Sequence, residues 1–389
     1  MLIQFTVENH RSIKNSAVIS FAASKDKSFE EYLLHPDEKK TLLPVLAIYG
    51  ANAAGKSNVL HAMMTMREMI IGDASKVSKG QMLPWEPFGD TKKPTSFEMA
   101  FIFQGVRYTY GFSFDAKKIY KEYLFHWPNG REALIFSREN GEYEFRENVN
   151  EQATLSNRTP DNKLYLVSSN DWNLPQTENA YRWFLEKLTF LMDEEPAASE
   201  TVAQIVGDDD KKARILKELL LADLGITDVT IKNSPDKVPV ITTTHRIINE
   251  DGTTEYFQLL MEQESAGTQH FFARIGGWLQ ALENGTLLVV DEIEDSLHPL
   301  LTRRLIEMVQ DKTVNTKGAQ MIFTTHDAML LDLNFFRRDQ IWFAEKKDET
   351  CATELYSLAS FSPRKGENVR KGYLQGRFGA IPFIGGNAY

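Results

Sequence analysis

Residues 45–57 read VLAIYGANAAGKS. The apolar run Val45–Tyr49 stops at Gly50, as a buried strand does. The next eight residues, Gly50-Ala-Asn-Ala-Ala-Gly55-Lys56-Ser57, match G-x-x-x-x-G-K-[ST]. Residues 56–70 read KSNVLHAMMTMREMI, free of Gly and Pro and rich in good helix formers. A glycine loop between strand and helix lets backbone N–H groups turn inward around phosphate oxygens, and the helix N-terminus adds partial positive charge. The pattern predicts nucleotide phosphates at Asn52, Ala53, Ala54, Gly55, Lys56, Ser57 and Asn58. Lys56 would reach the β- and γ-phosphates, and Ser57 would ligate Mg²⁺. The bland alternative is a glycine-containing strand-to-helix turn.

A second segment, Thr286-Leu-Leu-Val-Val-Asp291-Glu292, is an apolar strand ending in two carboxylates. Ligands of open α/β sheets bind at the carboxyl ends of strands. Asp291 is the expected metal residue, and Glu292 the expected base that deprotonates the attacking water. A strand ending in solvated acids is the plainer reading. The next apolar strand, Met321-Ile-Phe-Thr-Thr, ends at His326.

The surrounding pattern fits a layered α/β fold. Residues 2–8 and 16–22 read as strands. Residues 97–145 contain FEMAFIF, VRYTYGFSF, KIYKEYLFHW and EALIFS, with turn residues at Gln104-Gly105 and Pro128-Asn129-Gly130. This predicts an antiparallel meander. Residues 180–224 read as helical, with Asp208, Asp209 and Asp210 starting a helix where the macrodipole favours negative charge. Strands are expected at 228–232, 242–248 and 253–260. Helix, strand, helix, strand then follow at 265–282, 286–293, 299–309 and 319–325, which argues for a parallel sheet covered by helices. The expected organisation is an N-terminal lobe at 1–170, a short helical insertion at 171–232 and a C-terminal lobe at 233–389.

The 389 residues carry 44 Lys plus Arg against 54 Asp plus Glu, a net charge of −10. That balance argues against coating nucleic acid by bulk charge, though not against a local basic groove. The single cysteine, Cys351, excludes an intramolecular disulfide and a multi-cysteine metal site. The N-terminal residues lack a signal-peptide core, and no apolar run approaches the roughly 18 residues that span a bilayer. The expectation is a cytoplasmic protein without a membrane segment.

Glu264-Ser265-Ala266-Gly267-Thr268-Gln269 precedes a predicted helix, about 25 residues before Asp291. It resembles the ABC signature, usually LSGGQ, in degenerate form; alone, Ser265 reads as an ordinary helix N-cap. His326 matches the ABC switch histidine, and Asp295-Ser296-Leu297-His298 occupies the D-loop place, with His298 where that loop usually has Asp. Phosphate loop, signature, carboxylate pair, D-loop and switch histidine come in ABC order. ENHRSIKNS near the N-terminus and the meander resemble the SMC/OLD branch rather than transporters. Within it, RRDQIWFAEKK, TELYSL and KGYLQGRFGAIPFI make the chain most similar to small bacterial antiphage ATPases, often described as AAA-type ATP-binding proteins. The insertion is too short for an SMC coiled coil. The 63 residues after His326 lack the acid cluster of an OLD-type Toprim nuclease.

The resemblance implies an ABC ATPase head. ATP and Mg²⁺ would be held between two copies, with Ser265 and Gly267 reaching the nucleotide of the opposite protomer and His326 contacting the γ-phosphate. Arg11 and Ser12 match the position that touches the nucleotide near its base or α-phosphate; an Arg capping a strand is the bland alternative. Gln81 or Gln104 stands where a Q-loop glutamine is expected. Implied partners are a second copy in a homodimer or larger ring, a separate nuclease-like effector of Toprim-related or RloB type, and DNA. In this reading the ATPase is a sensor or scaffold for the effector. The rivals are a DNA-clamping repair or chromosome ATPase and an interaction module without turnover. In the tail, Arg364, Lys365, Arg370, Lys371 and Arg377 alternate with Tyr373 and Phe378, which suggests nucleic acid or an acidic partner, or simply a solvated loop before a packed end.

Overall fold

A computed structural model describes residues 1–37, 40–192, 198–222, 225–233, 239–364 and 366–381. The chain opens with β1 (Leu2–Glu8) and β2 (Ala17–Ser20), the short pair β3 (Leu34–Asp37) and β4 (Lys40–Leu42), and the fully buried β5 (Val45–Tyr49). Helix α1 (Lys56–Ile71) leads to five strands, β6 (Thr95–Phe103), β7 (Val106–Phe114), β8 (Ile119–Trp127), β9 (Ala133–Glu139) and β10 (Glu142–Phe145). Then come α2 (Val149–Ser156), α3 (Tyr165–Asp171), α4 (Pro175–Glu186), β11 (Leu188–Leu191), α5 (Ser199–Gly207) and α6 (Asp209–Leu221). They are followed by β12 (Ile226–Asn233), β13 (Pro239–Ile248), β14 (Thr254–Leu260), α7 (Ala266–Asn284), β15 (Leu287–Val290) and α8 (Pro299–Gln310). The chain continues with β16 (Gln320–Thr325), β17 (Ile341–Lys346), β18 (Thr353–Ser357) and α9 (Val369–Leu374).

The core sheet has the order β11-β15-β16-β5-β17-β18, parallel throughout except for the β17–β18 hairpin. Strands buried on both faces read as continuous apolar runs, which is why VLAIY and LLVV lack polar alternation. The two faces still separate by parity. Leu46, Ile48, Leu287, Val289 and Ile322 pack with α1. Val45, Ala47, Tyr49, Leu288, Val290, Met321 and Phe323 pack with α7, α8 and α9. Helix α1 therefore covers one face and α7 the other.

Beyond α1 lies the expected meander, extended by the first two strands into an all-antiparallel sheet, β10-β9-β8-β7-β6-β1-β2. Its Phe97, Phe101 and Phe112 share one apolar cluster with Met63 and Met66 of α1 and with Trp183. Asp208 caps α6, accepting the N–H groups of Asp210 and Lys211.

The helical reading of 180–224 is corrected at Leu188–Leu191. These four residues form β11, paired in parallel with β15 from Leu188↔Leu287 to Leu191↔Val290. Four residues are too few to show a period, and pairing with a buried strand overrides local preference. Residues 193–197, 223 and 224 of that stretch lie outside the described residues. β12 pairs with β13 from Ile226↔His245 to Asn233↔Pro239, so one sheet, β12-β13-β14, crosses the position after residue 232. No helix among the described residues is long and apolar enough to cross a membrane.

His10 has no solvent exposure, and neither ring nitrogen has a hydrogen-bond partner among the described residues. Burial, reinforced by the nearby Arg11 charge, pushes its pKa down to about 4. The unfolded chain then binds more protons than the folded one between about pH 4 and the ordinary histidine value near 6.5. This contribution is fully present above about 6.5 and is lost as pH falls toward 4. His10→Phe is expected to remove that slope. Urea unfolding at pH 7 and pH 4.5 should show the variant gaining about 2 kcal/mol relative to the parent on acidification. A constant difference would show that His10 is not the group responsible.

Candidate functional site

Strand parity builds the site. In β15, Leu287 and Val289 point toward α1, and Asp291 continues that row past the strand end. Its Oδ1 accepts a hydrogen bond from Ser57 Oγ at 3.0 Å. In β16, Ile322 faces α1, and Thr324 shares its parity. Thr324 Oγ1 donates to the same Asp291 oxygen at 2.5 Å and accepts the Glu292 N–H at 2.8 Å. His326 continues the row. Its Nε2 is 3.1 Å from Glu292 Oε1, and its ring nitrogens lie 3.2 and 3.3 Å from Lys56 Nζ. Glu292 takes φ 46°, a strained value for a non-glycine residue, which turns its carboxylate out of the strand row toward His326.

The glycine loop closes the other side. Lys56 Nζ donates to Gly50 O at 3.1 Å and Ala51 O at 3.2 Å. Burial lowers its pKa, opposed by the charges of Glu292, Asp291 and Glu294. Gly55 has φ 96°, and a Cβ there would stand 2.0 Å from Thr353 Oγ1 and 2.6 Å from Ser12 Oγ. Only glycine fits. Asn52 and Ala53 are exposed, Ala53 at φ 61°, while Ala54 is buried. Thr353, from β18, donates to Ala54 O at 2.8 Å, and its hydroxyl lies 2.7 Å from Ser12 Oγ. Asn58 Nδ2 also donates to Ser12 Oγ, at 2.7 Å. Arg11 lies beside this network, its Nε held by Glu86 at 2.6 Å.

The structure therefore gathers Ser12, Ala54, Gly55, Lys56, Ser57, Asn58, Asp291, Glu292 and His326 at the carboxyl edge of the parallel sheet. Ser265 and Gly267 stand elsewhere. Ser265 caps α7, accepting the Thr268 N–H, and a Cβ on Gly267 would meet Ser296 O at 2.7 Å. Because Gly285 reverses the chain between α7 and β15, the α7 N-terminus lies at the same sheet edge, on the face opposite α1. His298 caps α8 through Nδ1. Gln81 is engaged by its own turn through Ser78, and Gln104 sits in the β6–β7 turn at φ 49°. Neither hydrogen-bonds to the cluster among the described residues. Tyr373 and Phe378 pack on Phe343, and Arg377 pairs with Glu367, so the tail aromatics belong to the core. Lys365 lies outside the described residues.

Sequence reading missed Thr324, Thr353, Glu86 and Glu294. Thr324 was visible as the third residue before Asp327 in a strand whose parity row ends at His326. Thr353 and Glu86 come from segments distant in sequence and had no signal. The arrangement offers a hydroxyl and a carboxylate as hard oxygen donors, one buried cation, an exposed carboxylate for proton transfer and a histidine touching both.

None of the curated proteins matches the chain. Among solved structures, the SMC head domain from Thermotoga maritima is similar at 11% identity, covering 92% of this chain and 98% of that one, with a TM-score of 0.41. CbiO1 from Clostridium perfringens, part of the ABC transporter complex cbiONQ, is similar at 12% identity, covering 96% of each chain, with a TM-score of 0.36. The fold rests on the sheet order above rather than on these scores. A family profile described as "AAA domain, putative AbiEii toxin, Type IV TA system" matches residues 45–332, from β5 through the phosphate loop and carboxylate pair to beyond His326. Since that match takes in more than half of the sequence, the chain belongs to this AAA-domain family.

Proposed function

We propose that the chain is a Mg²⁺-dependent ABC-type ATPase that closes head to tail with a second copy around two ATP molecules. The observation that carries this reading is the 3.0 Å contact between Ser57 and Asp291, with Lys56, Glu292 and His326 converging beside it. A hydroxyl and a carboxylate are the oxygen donors Mg²⁺ takes, so Ser57 and Asp291 fit it. When bound, Mg²⁺ neutralises charge on the phosphates. Lys56 and the N–H groups of residues 52–58 orient the phosphate chain. Glu292 accepts the proton of the attacking water, and His326 holds Glu292 in place and contacts the terminal phosphate. Arg11 and Ser12 lie toward the base and α-phosphate.

Phosphoryl transfer is mainly positioning and charge stabilisation, so half a cradle should be slow. Gly267 packs against Ser296 and Ser265 caps α7, away from the glycine loop of their own chain, which supports their serving the second copy. The protein then acts as a nucleotide-dependent sensor or scaffold for a separate nuclease-like effector, Toprim-related or RloB-type, in antiphage defence. The family description, "AAA domain, putative AbiEii toxin, Type IV TA system", supports a paired partner. Phosphate release per subunit should rise through the dimerisation range and then level off. A flat rate contradicts the composite site, and DNA-stimulated hydrolysis with a steep salt slope points to a DNA clamp instead.

A further inference from the structure

β16 ends at Thr325, so the N–H of His326 has left the sheet ladder and needs another acceptor. Glu294 supplies it. Its Oε1 accepts the His326 N–H at 2.5 Å across 32 residues of sequence. The turn carrying Glu292 is pinned to β16 at two further points, Glu292 N–H to Thr324 Oγ1 at 2.8 Å and Ile293 N–H to Thr324 O at 3.1 Å. Of the three ties, only the one from Glu294 reaches the histidine itself. Charge-assisted hydrogen bonds of this kind are short and about twice as strong as neutral ones. Deeper in, Glu294 Oε2 is buried without a partner among the described residues, and so are Asp327 Oδ2, the Tyr49 hydroxyl, and Nε and Nη1 of Arg274. Arg274, on α7, is 3% exposed, with Nη2 3.6 Å from Asp295. Its guanidinium is the nearby counter-charge for both Asp295 and Glu294.

We infer that Glu294 is a positioning residue of the hydrolytic site: by holding the His326 main chain, it fixes the ring that spans Lys56 and Glu292. This rests on the proposed roles of Glu292 and His326. Among the described residues Glu294 hydrogen-bonds to neither the glycine loop nor Ser57, so its loss should spare nucleotide binding.

Two readouts test it. Backbone amide exchange at His326, followed without nucleotide, should quicken by about tenfold or more in Glu294→Ala. Glu294→Gln, whose amide oxygen can still accept, should stay near the parent. In turnover assays Glu294→Ala should lower kcat by about 10- to 100-fold with KM for ATP within about threefold, and Glu294→Gln should recover most of the loss. The doubly substituted Glu294→Ala, His326→Ala protein should be no slower than His326→Ala alone, because both remove one function. The inference falls if the two effects multiply, if Gln is as poor as Ala, if KM rises as kcat falls, or if His326 exchange is unchanged. A parent protein with no turnover overturns the proposed ATPase, and the contribution of Glu294 to turnover with it. That failure is distinguishable, because the exchange experiment still reports whether Glu294 holds His326.

Discussion

Glu292→Gln should cut steady-state hydrolysis by about 10²- to 10⁴-fold while leaving ATP bound, the range a general base contributes. The change keeps the shape of a side chain whose backbone is already held at φ 46° by Thr324. An amide oxygen can still meet the His326 ring, now 3.1 Å from Glu292 Oε1. What it cannot do is take a proton. Ser57, Asp291 and Lys56 make their contacts without Glu292, so the phosphate cradle is intact. With hydrolysis stopped, nothing dissolves the closed dimer, and a long-lived species of twice the subunit mass should accumulate with ATP and Mg²⁺. Phosphate release and sedimentation velocity read the two effects. Loss of ATP binding would instead assign Glu292 to the metal.

Lys56→Ala should abolish turnover and weaken ATP binding by about 10- to 100-fold, the cost of losing charge-assisted hydrogen bonds to phosphate. In this structure the ammonium is buried and shared among Gly50 O, Ala51 O and His326, with Asp291, Glu292 and Glu294 around it. A polyphosphate brings further negative charge to a site where Lys56 already faces three carboxylates. Ser265→Arg is predicted to behave differently. Ser265 caps α7 away from the loop of its own chain, so the variant should bind ATP as the parent does. It should still fail to turn over, because the bulk of Arg at the α7 N-terminus would displace that helix end, Gly267 included, from the terminal phosphate held by the second copy. Isothermal titration and phosphate release distinguish the two defects.

Most of this architecture could be read from residues 45–57 and 286–326, and for a physical reason. A parallel sheet buried on both faces needs unbroken apolar runs, and chemistry placed at strand ends needs its polar residues directly after them. VLAIY before Gly50, LLVV before Asp291 and MIFTT before His326 carry both signals in one stretch. β11 was not legible, because LTFL is too short for periodicity and becomes a strand only through pairing with β15. β1 and β2 read as strands, but nothing local said that they would continue the meander sheet. The clamp of Thr353 on Ala54 and Ser12 joins residues some three hundred positions apart, and no spacing rule reaches that far. Glu294 carries no local signal; only the fold brings it to the His326 N–H.

If each catalytic site is built from two copies, mixing two inactive variants should restore an intact site. Lys56→Ala and Ser265→Arg are each inactive alone. In an equal mixture, about half of the dimers pair one of each, and each such dimer has one site with both defects and one with none. Activity should recover to about a quarter of the parent rate, appearing on mixing and scaling with the heterodimer fraction. A mixture no more active than its two components would contradict a site built from two copies.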